Sequence, residues 1–389
     1  MSSPPPTLEL PAFLEASLGA GHPWVYRDHV PKELRAAPGS VFHIRAGAFS
    51  GYALWDSSSQ IALRVYSTRE PPNPGWLAER VRMAWELREP IRGQRTDAYR
   101  WIFGEGDGLP GISVDLYGPF AVVVVYAEGL EKLVEWLLPA LRSTTDLRGI
   151  VEKRRGEDAG LHLLWGREPP RELVVEEHGV RFLVDLFAAQ KTGLFLDHRE
   201  NRRFIGALAG GRRVLNLFSY TGGFSLHAAL GGATQVTSVD IAAGAMDAAQ
   251  RSFGLNGLDP DAHEFEVGDV FEFLERARAR HFHWDLVICD PPSFARNKAQ
   301  LKAALKAYTR LNAAGLRVTE SGGLYAAASC TSQVGPEAFR QTLATAAERA
   351  NRRFQIIHDI GQPMDHPVMV QHLEGRYLKL VLGRVLEPA

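Results

Sequence analysis

Cysteine is scarce in this chain: only Cys289 and Cys330 occur among 389 residues. Two thiols cannot build a disulfide framework, and they point to a reducing compartment such as the cytoplasm. No stretch of eighteen uncharged apolar residues occurs either, so no membrane span and no membrane partner are expected. The longest candidate, Phe120-Ala-Val-Val-Val-Val-Tyr126, is short and β-branched, as a buried strand should be. The opening Met1-Ser-Ser-Pro-Pro-Pro6 lacks the basic and apolar regions of a signal peptide and reads as a short disordered tail. An excess of one charge is missing too. The formal net charge is −1, so bulk composition announces no nucleic-acid partner, although a local patch could supply one. Such a patch exists between Asp290 and Glu320, where Arg296, Lys298, Lys302, Lys306, Arg310 and Arg317 stand without any acidic residue. It fits a solvated helix face or a phosphate-binding surface. No metal site is expected.

What is present suffices for two or three domains with ordinary cores: 45% of residues are hydrophobic and 23% charged. Glu70-Pro-Pro-Asn-Pro-Gly75 and Arg167-Glu-Pro-Pro-Arg171 are Pro-rich breaks. Before the first, strand-like runs at 40–45, 49–55 and 60–66 alternate with turns and suggest a small β-barrel over residues 1–72. Residues 73–185 read as a central α+β domain. Helical periodicity over 76–92 and 128–141 flanks strands at 111–116 and 120–126, and a hairpin over 173–184 turns at His178-Gly179. From Arg212 onward strands and helices alternate regularly, with strands at 213–217, 235–240, 264–267, 284–290 and 323–329. Final strands follow at 354–358 and 376–382. The fold class over 186–389 is therefore α/β, a doubly wound and mostly parallel Rossmann-like sheet, whose ligands bind at the carboxyl ends of its strands.

Polar residues fall at those ends. Strand one ends in Asn216, and Tyr220-Thr-Gly-Gly223 then opens a helix, where glycines admit a ligand closely and free amides favour a carboxylate. Strand two ends in Asp240, able to accept both ribose hydroxyls. Strand three precedes Gly268-Asp269, placed for an adenine amino group, and strand four ends in Asp290-Pro-Pro292. The loop lacks G-x-G-x-x-G, and the set favours S-adenosylmethionine over a dinucleotide. The expected cofactor contacts are Asn216, Phe218, Tyr220, Thr221, Gly222, Gly223, Asp240, Asp269, Val270 and Asp290.

Two chemistries remain open for the acceptor. Asp290-Pro-Pro-Ser-Phe294 resembles the Asp/Asn-Pro-Pro-aromatic motif of enzymes that methylate exocyclic amines, with Ser293 inserted before the aromatic. Cys330 ends strand five in Ala328-Ser-Cys-Thr-Ser-Gln333, at the same sheet edge as Asp290. A thiolate adding to carbon 6 of a pyrimidine makes carbon 5 nucleophilic enough to take a methyl, and a carboxyl group near ring nitrogen 3 stabilises the adduct. Free cysteine ionises at about 8.5, so local positive potential or a base is needed. Cys330 as an ordinary buried hydrophobe is the alternative. Cys289, one residue before Asp290, points away from it and reads as core. His366, in Asp365-His-Pro367, is a candidate for the base that removes the carbon-5 proton.

The chain resembles the bacterial 23S rRNA cytosine-C5 methyltransferases of the large-subunit type I family over nearly its whole length. His22-Pro-Trp-Val-Tyr26 resembles the start of that family's RNA-binding PUA domain, and Gly104-Glu-Gly-Asp-Gly-Leu-Pro-Gly111 and Val151-Glu-Lys-Arg154 its central domain. Lys191-Thr-Gly-Leu-Phe-Leu-Asp-His-Arg-Glu-Asn201, Asn216–Phe224, Ser329-Cys-Thr331 and Glu374-Gly-Arg-Tyr-Leu-Lys379 resemble its cofactor, nucleophile and closing segments. Thr331 stands where a serine is more usual. The resemblance implies S-adenosylmethionine as cofactor, Cys330 as nucleophile and Asp290 facing the base. It also implies 23S rRNA as partner, naked or in an assembling large subunit, with contacts at Arg296, Lys298, Lys302, Lys306 and Arg310. A homodimer is compatible with it. The other readings are an rRNA N-methyltransferase and a non-catalytic RNA-binding assembly factor. Charges balance through Glu70, with six basic and six acidic residues, so the barrel would read RNA shape more than attract it by field.

Overall fold

The computed structural model describes residues 4–188, 191–295 and 297–388; Met1–Ser3 of the tail and Arg296 of the basic patch lie outside the described residues. Two units form. The first comprises Met1–Leu173, Asp185–Thr192 and Met364–Gly375, the second Val174–Val184, Gly193–Pro363 and Arg376–Ala389.

The first unit holds two five-stranded sheets. Strands β1 (Thr7–Glu9), β2 (Trp24–Tyr26), β3 (Val41–Ala46), β4 (Phe49–Trp55) and β5 (Ile61–Ser67) pair in the order β1-β3-β4-β5-β2. Inward residues such as Val25, Ile44, Ala53 and Leu63 alternate along them and fill one core, together with the short helix α1 (Glu15–Gly19). The second sheet orders β10 (Gly160–Gly166), β9 (Gly149–Arg154), β8 (Phe120–Val125), β7 (Ile112–Tyr117) and β6 (Ala98–Phe103) side by side. Helices α2 (Pro74–Leu87), α3 (Glu89–Arg92) and α4 (Glu131–Thr144) accompany it, and Leu77, Val81, Leu133 and Leu137 pack on its Trp101, Ile112 and Val123. The α2 N-terminus is capped as its sequence dictates: Asn73 accepts from Trp76 N at 2.9 Å, and Pro74 takes the first helical position.

In the second unit, β11 (Leu173–Glu177) and β12 (Val180–Val184) form the expected hairpin. Its two turn residues have φ of 52° at His178 and 78° at Gly179, the signs of a turn whose twist matches the strands. Seven further strands make the main sheet: β13 (Arg213–Leu217), β14 (Gln235–Asp240), β15 (Glu264–Val267), β16 (Trp284–Cys289), β17 (Thr319–Ser329), β18 (Arg353–Ile360) and β19 (Lys379–Leu386). Their order is β15-β14-β13-β16-β17-β19-β18; β19 alone is antiparallel to its neighbours, and the other six strands run in one direction. Helices α5 (Arg199–Ala207), α6 (Gly223–Leu230), α7 (Ala243–Leu255), α8 (Val270–Ala279), α9 (Leu301–Arg317) and α10 (Pro336–Ala350) intervene. This is the doubly wound α/β sheet that the alternation implied. Strand order reverses at β13, so the switch point lies between β13 and β16, where ligands of such sheets bind.

A buried ionic cluster ties the hairpin to α5 and α6. Glu177, fully buried in β11, accepts from Arg202 Nε at 2.8 Å and from Arg202 Nη2, and its Oε1 lies 3.2 Å from His227 Nε2. Burial alone would raise the Glu177 carboxyl, but the Arg202 guanidinium and His227 hold it well below the usual carboxylate range. Burial pushes His227 down despite Glu177.

Candidate active site

The loop after β13 is strained in a way that marks a functional segment. Phe218, Tyr220 and Gly222 have φ of 57°, 49° and 71°. Left-handed backbone costs a non-glycine residue on the order of 1–2 kcal/mol, and two such residues within three positions persist only when the surroundings enforce them. Asp240 does part of that work: its Oδ2 accepts from Tyr220 N at 2.8 Å, and its Oδ1 from Ala242 N at 2.9 Å. From the other side, Tyr220 donates its hydroxyl to Gly193 O at 3.2 Å, and its ring meets Phe195 edge-on at 5.2 Å. Gly222 caps α6, and a Cβ there would stand 2.9 Å from Ala249 Cβ; a Cβ on Gly223 would stand 2.8 Å from Arg202 Cδ.

These residues fit an adenosyl sulfonium amino acid. Asn216 is buried and donates to Ser225 Oγ at 2.9 Å, while its Oδ1 has no partner among the described residues. The start of α6 offers free amides to a carboxylate. Ile241, beside the Asp240 carboxylate, is 76% exposed, an apolar surface at a strand end where a flat base could stack. Asp269 Oδ1 caps α8, accepting from Phe271 N at 2.8 Å and Glu272 N at 3.1 Å, so only its Oδ2 is left for a ligand. The Val270 side chain belongs to the core, which leaves its backbone as the part that could face a cofactor. Thr221 is half-buried.

Asp290 and Cys330 follow the adjacent strands β16 and β17, and hydroxyl groups join their loops. Each hydroxyl has one proton, and the distances fit a single direction of donation. Ser329 Oγ donates to Tyr308 OH at 3.0 Å, Tyr308 to Thr331 Oγ1 at 2.7 Å, Thr331 to Ser293 Oγ at 3.1 Å, and Ser293 to Ala295 O at 3.1 Å. The two departures read in the sequence, Ser293 and Thr331, thus form one hydrogen bond that fixes the Asp290 loop to the Cys330 loop. Tyr308 is pushed up to about 12, chiefly by burial, and keeps its proton. Phe294 packs edge-on against Tyr308 at 4.8 Å, and Tyr308 in turn against Phe339 at 5.4 Å. Cys330 is half-buried. Cys289 lies in the core as expected, its thiol pushed up to about 12 by burial.

Two neighbours escaped the sequence reading. His198 is buried, with Nδ1 taken by Asn201 Nδ2 at 3.0 Å and Nε2 at 3.3 Å from Asp290 Oδ2, within ion-pair range but not aligned as a hydrogen bond. Lys379 opens β19, directly opposite Ser329 in the antiparallel register, so strand pairing brings it to the Cys330 loop. It is only 3% exposed, and its Nζ donates to Thr331 O and Tyr377 O, both at 2.7 Å. Tyr377 OH donates to Asp197 Oδ2 at 2.6 Å. An isolated lysine inside an apolar run, Tyr377-Leu-Lys-Leu-Val381, was the available signal.

Lys298, Lys302, Lys306 and Arg310 are all exposed and stand four residues apart, along the turn before α9 and α9 itself. Steps of four drift by about 40° each around a helix, so they form one stripe. Arg310 lies over the Phe271 ring at 4.6 Å. His366 is buried in the first unit against Asp365 and Phe103. Trp24 is a packing residue there, donating to Glu105 Oε1 at 2.9 Å, and Arg27 covers Trp55 and donates to Ser59 O. No helix among the described residues is long and apolar enough to cross a membrane.

A strained loop at the switch point, carboxylates at successive strand ends and a fitting nucleoside surface define a class I S-adenosylmethionine-dependent methyltransferase. The comparisons agree: residues 126–371 match the S-adenosylmethionine-dependent methyltransferase family, and residues 10–68 match a PUA-like domain. A solved methyltransferase, SMU.776 in complex with SAH, superposes with a TM-score of 0.88 at 28% identity, covering 97% of this chain and all of its own. The "Ribosomal RNA large subunit methyltransferase I" of Erwinia tasmaniensis is 37% identical over 385 residues, 96% of this chain and 97% of the relative. The "Ribosomal RNA large subunit methyltransferase" of Deinococcus radiodurans is 37% identical over 401 residues, 98% and 97% of the two chains. The chain belongs to this large-subunit type I methyltransferase family, and S-adenosylmethionine is its cofactor.

Proposed function

We propose that the protein methylates carbon 5 of a cytosine in 23S rRNA through a covalent adduct on Cys330. The observation that carries this reading is the hydroxyl chain from Ser329 to Ser293, which fixes Cys330 and Asp290 to each other at neighbouring strand ends. The names of the similar proteins support large-subunit rRNA as substrate. The PUA-like region and the stripe Lys298–Lys302–Lys306–Arg310 would hold its phosphates, and such a protein works in the cytoplasm.

Asn216, the Phe218–Gly223 loop, Asp240, Ile241, Asp269 and the Val270 backbone would hold the cofactor, which supplies a methyl group on a positively charged sulfur. A flipped cytosine, extruded at a cost of a few kcal/mol, enters beside Asp290 and Cys330. The Cys330 thiolate forms a bond to carbon 6, and the electron pair of the 5,6 double bond moves toward carbon 5 and the ring nitrogen 3 that faces Asp290. Once carbon 5 carries its new methyl, loss of the carbon-5 proton re-forms the double bond and the electron pair of the sulfur–carbon bond returns to Cys330. His198, whose Nε2 lies 3.3 Å from Asp290 Oδ2, would help to place that carboxylate. Phe294 packs edge-on against Tyr308, which argues against its acting as the stacking ring of an amine methyltransferase.

RNA carrying 5-fluorocytidine tests the route, because fluorine cannot leave as a cation and the Cys330 adduct is trapped. A stable protein–RNA complex that disappears in C330A is expected. Methylation by C330A at the full rate, or at an exocyclic nitrogen, refutes it.

A further inference from the structure

We infer that Lys379 is a positioning residue whose buried ammonium holds Cys330 in its thiolate form and fixes the loop that presents it. The inference rests on the covalent reading above and adds what that reading lacks, the positive potential a reactive thiol needs.

Lys379 is almost fully buried, and among the described residues it has no carboxylate partner. A buried ammonium without an anion is costly, and such a group persists where its charge is used. Two of its three N–H bonds go to carbonyl oxygens of Thr331 and Tyr377. The first carbonyl belongs to the residue after Cys330, and the Cα paired across the ladder belongs to the residue before it. Lys379 therefore brackets Cys330 through the backbone, and carbonyl oxygens supply partial negative charge but no net anion. Burial pulls Lys379 down to about 8, and the charge that pushes it back up is Cys330. Coupling is reciprocal, so an ammonium that the Cys330 charge favours in turn favours the Cys330 thiolate.

Among the described residues, Asp290, Tyr308, His198 and Asp197 do not supply that positive charge. Asp290, from the loop after β16, is negative and opposes a thiolate; Asp290 and Cys330 both push Tyr308 upward after burial has done so. Tyr308, from α9, stays neutral. His198 faces Asp290, and Asp197 is engaged by the Tyr377 hydroxyl. A cation is needed to offset Asp290, and Lys379 supplies it from the far strand.

The test is the pH dependence of iodoacetamide alkylation on the full-length protein, comparing wild type with K379M. Cys289 is 1% exposed and its thiol is pushed up to about 12, so it stays silent, and C330S confirms the background. Wild type is expected to titrate below the ordinary thiol value of about 8.5. K379M is expected to move the midpoint up by at least one pH unit, about tenfold slower alkylation at pH 7, since one unit is a tenfold change in thiolate. An unmoved midpoint overturns the inference. Should K379M fail to fold, ¹³C-lysine NMR of wild type against C330S replaces it, with only eight lysines to resolve. Lys379 should then titrate lower in C330S, and an unchanged value overturns the inference. Neither measurement needs RNA or cofactor. Trapping with an unmoved midpoint therefore refutes Lys379 alone, and a moved midpoint without trapping refutes the covalent route alone.

Discussion

Replacing Tyr308 by Phe deletes one oxygen from the hydroxyl chain and leaves the ring packing on Phe294 and Phe339 in place. That oxygen accepts from Ser329 and donates to Thr331, and both partners are fully buried. Thr331 keeps Ser293, 3.1 Å away, but the Ser329 hydroxyl proton is left without an acceptor. A net hydrogen bond contributes about 1 kcal/mol, and a stranded buried donor costs about 1–3 kcal/mol, so Y308F should lose about 2–4 kcal/mol of stability. Urea denaturation of the purified protein reads this as a lower midpoint with an unchanged slope. The chemistry should suffer more than the fold. With the chain cut, the single Thr331–Ser293 hydrogen bond joins the Cys330 and Asp290 loops without its support from α9, and a misplacement of about 1 Å can cost on the order of 100-fold in rate. Trapping on 5-fluorocytidine RNA should slow by at least tenfold in Y308F. A variant within about 0.5 kcal/mol of wild type that traps RNA at the same rate would refute the claim that this chain aligns the two loops.

Gly222 sits at φ 71° with Ala249 against its back, so G222A should weaken S-adenosylmethionine binding at least tenfold by calorimetry and cost about 1–2 kcal/mol of stability. E177Q leaves the buried Arg202 without its anion and should cost about 3–5 kcal/mol. The Glu177 carboxyl is depressed on folding, so its contribution is complete above the unfolded value of 4.5 and is lost as pH falls through the folded one. Wild-type stability should therefore drop more steeply than that of E177Q below pH 4.5, measured by denaturation at a series of pH values. Changing Lys302, Lys306 and Arg310 together to Gln should lower the salt dependence of rRNA binding by about 0.7–0.9 in logarithmic slope for each phosphate no longer neutralised. An unchanged slope in filter binding would leave the stripe as a solvated helix face.

The seven-strand alternation, the loop after the first of these strands, and the placement of Asp240, Asp290 and Cys330 at strand ends were legible in the sequence because each is a local feature. A strand end is marked by where a β-branched run stops, and the residue that follows is read off directly. The three strands at Ala98–Phe103, Gly149–Arg154 and Gly160–Gly166 were not legible. Ala98–Phe103 is buried on both faces apart from two half-exposed positions and shows no alternation. Helix Arg199–Ala207 was hidden for the opposite reason: its buried positions include Arg199, Asn201 and Arg202, and a hydrophobic pattern cannot register charges that are buried in pairs. Arg202 is inside only because Glu177, twenty-five residues earlier, is there to receive it. Asp269 stood at the right strand end, yet the helix start it caps takes one of its oxygens. Tertiary structure alone decided which side chains meet. Ser329 and Lys379 are fifty residues apart and become neighbours through one antiparallel register, and Ser293 and Thr331 bond directly while a hydroxyl on the helix between them, Tyr308, holds Thr331. Sequence set the chemistry available at each strand end; pairing of the strands decided which charge stands beside Cys330.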